Sequence, residues 1–269
     1  MDLRQRYGPW ALVTGGAMGL GAAFAEHLAA AGLNLALVDH DAEALGSKAT
    51  ELRGRHGTIE VHEVVADLAD RAQVEAAVSS VAELEIGLLV ACAAHSGVGA
   101  WLAVSIEDKI RQIEVNCVSV ATMVDRFSRA MVERKRGGIV IVSSMAGRQG
   151  TPLVATYAAT KAFDLVLGES LWAELRRHGV DVLSLMPGTT RTPGFERSLA
   201  PGTKLPKAVR MMEPSDVARE ALAALGKQPS LVAGGWNRLA ASVMHRVLPR
   251  KKAIEVMARS MRSMYRDKT

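Results

Sequence analysis

Six short apolar runs, each leading into a longer stretch of helical periodicity, set the frame of this chain. WALV precedes residues 20–31, LNLALV precedes 42–53, IEVHEVV precedes 71–84, IGLLVAC precedes 106–133, IVIV precedes 154–178, and VDVLSLM precedes a loop and 215–225. Runs of four to seven residues bounded by turn signals predict strands, and their mostly continuous apolar character predicts burial on both faces, as in a parallel sheet. Parallel neighbours need long crossovers, and right-handed crossovers lay helices on both sides of the sheet. Punctuation agrees: Gly32 and Gly179 follow predicted helices as C-caps, and Pro187 ends the sixth strand. The expected fold is α/β, a doubly wound, mostly seven-stranded parallel sheet whose seventh short strand lies near SLVAG, with ligands at the carboxyl ends of the strands.

After the first run comes TGGAMGLG, with Gly15, Gly19 and Gly21 between strand and helix. Glycine lets the backbone turn tightly and approach a pyrophosphate, and the helix beginning at Leu20 offers unpaired N–H groups and a positive dipole end. Gly15, Gly19, Leu20 and Gly21 are therefore the expected dinucleotide-binding residues of a Rossmann-type turn. Asp39 follows the second strand, eighteen residues past Gly21. A carboxylate there accepts hydrogen bonds from the adenosine ribose and repels a 2′-phosphate, which favours NAD and leaves NADP as the alternative. The glycine loop carries no Lys or Arg, and residue 40 is His. The competing reading is that Asp39 or Asp41 only caps the next helix.

A second site lies in SMAGRQGTPLVATYAATK, residues 144–161. Tyr157 and Lys161 stand four apart on a predicted helix and so share one face, about 5–6 Å apart at Cβ. A free phenol titrates near 10, but a neighbouring cation favours the phenolate and brings it toward the range of a general acid or base at neutral pH. Ser144 lies just past IVIV, where a hydroxyl can return to the phenol and polarise a carbonyl oxygen. Taken alone, the Tyr–Lys spacing also fits a chance pair on a solvated helix face.

Together these residues resemble the short-chain dehydrogenase/reductase family over roughly residues 9–192. The matching features are TGGAMGLG, Asp39, Asp67-Leu68 after the third strand, Asn116, Ser144, Tyr157, Lys161, and Pro187-Gly188 followed by Thr192. The resemblance implies that Tyr157 is the proton donor or acceptor, that Ser144 orients the carbonyl, and that Lys161 lowers the phenol pKa and binds the nicotinamide ribose. It implies that Asn116 holds a water linking Lys161 to solvent, that Asp67 and Leu68 meet the adenine, and that Pro187, Gly188 and Thr192 border the nicotinamide. One place departs: Ala91-Cys92-Ala93-Ala94 stands where the family usually carries Asn-Asn-Ala-Gly, removing two amides that tie neighbouring strands to the cofactor loop. Cys92 reads as a small residue filling a buried slot rather than a redox thiol.

Past Gly188, residues 188–213 are rich in proline and form no clear period, so a loop-rich substrate lid is expected. Met145, Leu153, Met186 and Phe195 are the expected pocket residues, with Val154, Met211 and Met212 nearby. They point to a hydrophobic alcohol or ketone, steroid-like or long-chain. His95 and Ser96 edge the pocket or lie in an exposed loop. The expected activity is an NAD-dependent oxidoreductase joining a secondary alcohol to its ketone; an NADPH-dependent carbonyl reductase and a non-catalytic nucleotide-binding regulator are the alternatives.

With 49% hydrophobic and 23% charged residues, the composition is that of a globular chain. Two cysteines and no metal-site spacing suit a reducing, cytoplasmic setting and no bound metal. The N-terminus has no apolar signal core. The charge-free windows 7–25 and 86–106 contain glycine-bearing loops and are not read as transmembrane. Net charge is +5, but from Lys227 onward ten Lys and Arg face two acids, leaving residues 1–226 at −3. With no recognition motif beside those charges, nucleic-acid binding is not expected. Residues 1–234 read as a single catalytic domain and 235–269 as a basic helical tail, two amphipathic helices separated at Leu248-Pro249. The tail is expected to pack on its own domain or a sister subunit, or to touch an anionic membrane surface. By analogy with the family, a homodimer or homotetramer is expected.

Overall fold

The computed structural model describes residues 2–200, 203, 205 and 209–265. It alternates as the apolar runs require: β1 (Trp10–Thr14), α2 (Gly19–Ala30), β2 (Asn34–Asp39), α3 (Ala42–Arg55), β3 (Val61–Val65), α4 (Arg71–Ser80) and β4 (Ile86–Ala91). After β4 come α5 (Ile106–Ile113), a π turn (Glu114–Val118), α6 (Ser119–Glu133), β5 (Gly137–Val142), a 3-10 turn (Met145–Arg148), α7 (Ala155–Leu175) and β6 (Val180–Met186). A short α8 (Pro193–Ser198), α9 (Pro214–Ala224), β7 (Ser230–Val232), α10 (Gly235–Arg246) and α11 (Arg250–Met264) complete the chain. The seven strands form one parallel sheet in the order β3-β2-β1-β4-β5-β6-β7. The order reverses between β1 and β4, and the crevice at their carboxyl ends is where such sheets bind ligands.

Strand alternation divides the core. Val13, Leu35, Leu37, Leu88, Val90, Val140 and Leu183 face α2 and α9, whereas Leu12, Ala36, Leu89, Ile139, Ile141 and Val182 face α4, α6 and α7. Burying each larger aliphatic side chain contributes roughly 1.5–3 kcal/mol, and β2, β4 and β5 are buried along their whole length.

Several of the observed elements are absent from the sequence reading. Asp2 caps a five-residue helix, α1 (Leu3–Tyr7), by accepting from the Gln5 N–H at 2.9 Å. The expected helix 106–133 is interrupted by the π turn. Within the expected lid, Thr192 accepts from the Phe195 N–H at 3.2 Å and Pro193 sits at the first turn, so α8 forms there. The lid residues 201–202, 204 and 206–208 and the tail residues 266–269 lie outside the described residues.

The tail breaks at Leu248-Pro249, and its apolar stripe divides in two. Leu239 and Val243 on α10 and Val247 at its C-cap are exposed, whereas Met261 and Met264 on α11 are buried against the rest of the chain. Among the described residues no helix is long and apolar enough to cross a membrane.

Candidate active site

The turn after β1 is built by glycines that admit no side chain. Gly15 has φ +67° and donates its N–H to Val38 O at 2.8 Å, and a Cβ on it would meet the Ala93 backbone at 3.0 Å. A Cβ on Gly21 would lie 1.9 Å from Gly15 O. Gly19, at φ +59°, faces the Thr192 side chain at 3.2 Å from its would-be Cβ, so the two ends of the expected cofactor site meet here. Met18, the N-cap of α2, makes no side-chain capping hydrogen bond, and no acid stands in the first turn. Leu20 lies in that turn. The first N–H groups of α2 therefore keep their capacity for an anion, and the close-packed glycine turn fits a dinucleotide pyrophosphate.

Asp39 ends β2 with its side chain 7% exposed. Its Oδ2 accepts from Ala17 N–H in the glycine loop at 3.1 Å, and its Oδ1 from Asp41 N–H at 3.2 Å. Asp41, not Asp39, caps α3, through Ala44 N–H at 3.0 Å. Asp67 holds the Arg111 guanidinium with both oxygens at 3.0 Å. Partial burial pushes its carboxyl up, but the Ala69 N–H and Arg111 outweigh that and leave it below the usual carboxylate range. Leu68 is buried beside it.

The missing Asn-Asn pair is answered by Thr14. Its Oγ1, 3% exposed as a residue, accepts from Cys92 N–H at 2.9 Å and Ala93 N–H at 3.0 Å, so strand-end backbone ties β4 to β1. Burial pushes the Cys92 thiol up to about 12, which suits a filler.

Tyr157 and Lys161 share one face of α7, with Nζ 5.9 Å from the ring centroid. The ammonium is turned toward the sheet: it donates to Val142 O at 2.7 Å and to Asp164 Oδ2 at 2.9 Å. Asp164 is a group the sequence reading missed, although an acid inside KAFDLVLG, three residues past Lys161, was a visible signal. Ser144 leaves β5 at its carboxyl end, where its Oγ accepts from Ala146 N–H at 3.1 Å. Asn116 is fully buried in the π turn, donating to His95 O and Thr160 Oγ1, both at 2.9 Å, and accepting from His95 N–H at 2.8 Å. Both amide protons are thus taken, which leaves its oxygen as the one atom free to meet a further donor. His95 Nε2 lies 2.7 Å from Asp108 Oδ1, so this ring belongs to the wall between α5 and the loop.

The expected pocket residues separate into two groups. Leu153 and Phe195 pack with Tyr157, Val154, Leu199, Met257, Met261, Met264 and Tyr265. Met145 and Met186 instead join Val232 and Ala241, and Met186 is 2% exposed. Leu153 takes φ +66° and accepts from Gly99 N–H at 2.8 Å, a left-handed conformation uncommon for leucine. Pro187 O accepts from Met145 N–H at 3.0 Å. A Cβ on Gly188 would lie 2.6 Å from Asn237 Nδ2 of α10. Both tail helices therefore border the site: α10 behind Gly188 and α11 beside Tyr157. Beside this face an apolar cavity of about 270 Å³ is lined by Trp101, Val104, Leu153 and Thr156. No cluster of potential metal ligands occurs among the described residues.

Comparison with known proteins agrees with this geometry. The family model described as short chain dehydrogenase matches residues 9–201. The chain is 32% identical over 239 residues to a 7beta-hydroxysteroid dehydrogenase of Collinsella aerofaciens, covering 88% of this chain and 90% of the relative. A solved structure from work on 7beta-hydroxysteroid dehydrogenase stereoselectivity superposes with a TM-score of 0.88 at 30% identity, covering 96% of this chain and 99% of the other. A short-chain dehydrogenase from Sphingobium yanoikuyae in complex with NADPH gives 0.75 at 28% identity, covering 90% and 97%.

Proposed function

Because the chain belongs to the short-chain dehydrogenase family, whose members are oxidoreductases of hydroxyl and keto groups, we propose that it interconverts a steroid-like secondary alcohol and its ketone with NAD(H). The observation that carries this reading is the surroundings of Tyr157: a phenol beside a buried ammonium, set among Leu153, Phe195, Met257 and Met261. An apolar shell of this kind suits a rigid hydrocarbon skeleton and excludes water from the proton transfer.

In this reading Tyr157 gives its proton to the carbonyl oxygen during reduction and takes it back during oxidation. Ser144 holds that oxygen by hydrogen bond, and Lys161 favours the phenolate, its third proton shared between the nicotinamide ribose and a water. Asn116 contributes its amide oxygen to a water that links the ammonium to solvent. Gly15, Gly19, Leu20 and Gly21 hold the pyrophosphate, Asp39 the adenosine ribose, and Asp67 and Leu68 the adenine. Pro187, Gly188 and Thr192 border the nicotinamide, which when bound supplies or takes up the hydride. NAD is favoured because the Asp39 carboxylate repels a 2′-phosphate, and residue 40 is His rather than Lys or Arg.

The test is turnover of a panel of hydroxysteroids and long-chain secondary alcohols, with NADH and NADPH binding followed by fluorescence. Wild type is expected to bind NADH more tightly than NADPH and to oxidise a bulky alcohol. Tyr157→Phe is expected to lose turnover by about a thousandfold and still bind NADH. Binding without turnover of any panel member by wild type would sink the catalytic reading in favour of a nucleotide-binding regulator.

A further inference from the structure

Gln149 ends the 3-10 turn after β5. It is 6% exposed, and neither its Nε2 nor its Oε1 has a hydrogen-bond partner among the described residues. Its main-chain carbonyl accepts from Thr151 Oγ1 at 3.3 Å, so the turn fixes where the side chain starts. A buried amide with a bare donor and a bare acceptor destabilises a fold, and native chains seldom keep one without a use. This amide lines a cleft of about 430 Å³, the size of a small-molecule site, between the turn, α7 and the start of α11. A Cβ on Gly150 would stand 3.7 Å from Ile254 Cδ1, so α11 faces the turn across the cleft. Ala155, Ala159 and Ala162 of α7 form the apolar wall. At about 3.6 residues per helical turn, Tyr157 points to the opposite side of α7 from these alanines, so the cleft is not where a carbonyl would meet the phenol.

The charge at this cleft has one sign. Arg250 lines it, is exposed, and makes no hydrogen bond or ion pair among the described residues, and no described Asp or Glu lines it. Arg250, Lys251 and Lys252 open the fifteen-residue α11, whose first turn holds no acid and whose N-cap gives no side-chain hydrogen bond. Cations are unfavourable at the positive end of a helix, and the first N–H groups there lack intrahelical partners, so this end favours an anion. Of the three cations, Lys252 has an acid beside it, Glu255 at 3.1 Å. We infer that the cleft is a second binding site, which takes a small 2-hydroxy carboxylate with an apolar side chain. The carboxylate accepts from Gln149 Nε2 and the Arg250 guanidinium, the hydroxyl donates to Gln149 Oε1, and the side chain lies against Ile254 and the alanines. The hydroxyl is needed because a carboxylate alone only accepts and leaves Oε1 bare, whereas an ammonium in its place is repelled by the same cations. This site goes beyond the reaction at Tyr157 and does not depend on it.

Calorimetric titration of the full chain without cofactor tests this with three probes: 2-hydroxyisocaproate, isocaproate, which lacks the hydroxyl, and 2-hydroxyisocaproamide, which lacks the charge. Wild type is expected to bind 2-hydroxyisocaproate saturably, about tenfold more tightly than either of the others. Arg250→Gln is expected to weaken that binding about tenfold. Gln149→Met, which keeps the volume and removes donor and acceptor together, is expected to weaken it at least about tenfold and to end the preference over isocaproate. In the ligand-free protein the same substitution is expected to raise Tm by a few degrees, since two bare buried groups are gone. No saturable binding by wild type, binding that either substitution leaves unchanged, or equal binding of isocaproate or of the amide overturns the inference. A Tm that Gln149→Met leaves in place or lowers overturns it too, since the amide would then be structural. Turnover enters none of these readings, so failure here leaves the proposed reaction as it stands.

Discussion

The Tyr265 hydroxyl stands 3.2 Å from Ser198 Oγ, joining the end of α11 to the end of α8 across the apolar shell around Tyr157. The tail is thereby part of the candidate substrate wall. Met261 is 9% exposed in that shell. Met261→Ala is expected to raise KM for a bulky ketone about tenfold, with NADH affinity changed less than twofold. Steady-state kinetics beside NADH fluorescence titration decides it, and an unchanged KM would remove α11 from the pocket.

Gly21 cannot carry a side chain in this turn, because its Cβ would penetrate Gly15 O at 1.9 Å. Gly21→Ala must therefore open the strand–helix junction that presents the N–H groups of α2. The expected outcome is a loss of NADH binding by at least about a hundredfold with a lower Tm, measured by fluorescence and thermal melts. Near-native NADH affinity would show that the turn is not the dinucleotide seat.

Much of this architecture is legible in the sequence because continuous apolar runs and glycine punctuation act locally. Val13 and Leu37 need no distant partner to be read as strand residues, and Gly32 at φ +80° and Gly179 at φ +77° end their helices as anticipated. What escapes is what depends on contacts between distant residues. The π turn at Asn116 leaves no mark on hydrophobic period, and its amide is fixed by the His95 backbone twenty-one residues earlier. Thr14 takes over the tie expected of two amides because only the fold brings β4 to its hydroxyl. Met145 and Met186 resemble Leu153 and Phe195 by composition, yet Met186 ends β6 inside the sheet and both fall in a different cluster. Asp164 was visible, but its meaning depends on which face of α7 meets the sheet.

On the proposed reading Asp39 bears on cofactor choice, from a buried position that also braces the glycine loop through Ala17. Asp39→Ala is expected to weaken NADH about tenfold or more while leaving NADPH unchanged or tighter, as the repulsion toward a 2′-phosphate is lost. Asp39→Ala combined with His40→Arg is expected to reverse the preference. Parallel fluorescence titrations with both cofactors measure the ratio, and an equal loss for both would assign Asp39 to loop support alone.

Asp67 and Arg111 make an acid-sensitive tie between the loop after β3 and α5. The Asp67 carboxyl is held below its ordinary range, so its contribution to stability is complete above the unfolded value of about 4 and is lost as pH falls through the lower folded value. Arg111→Leu removes the charged partner and its share of that depression, while the Ala69 N–H stays in place. At pH 7 the variant is expected to melt a few degrees below wild type, and below about pH 4 the two curves are expected to converge. Comparing the pair isolates this contact, since other acids held low, Glu26 and Glu220 among them, weaken both proteins alike. A gap in Tm that stays constant down to pH 3 would mean that Arg111 acts by packing its stem on α5 rather than through its charge.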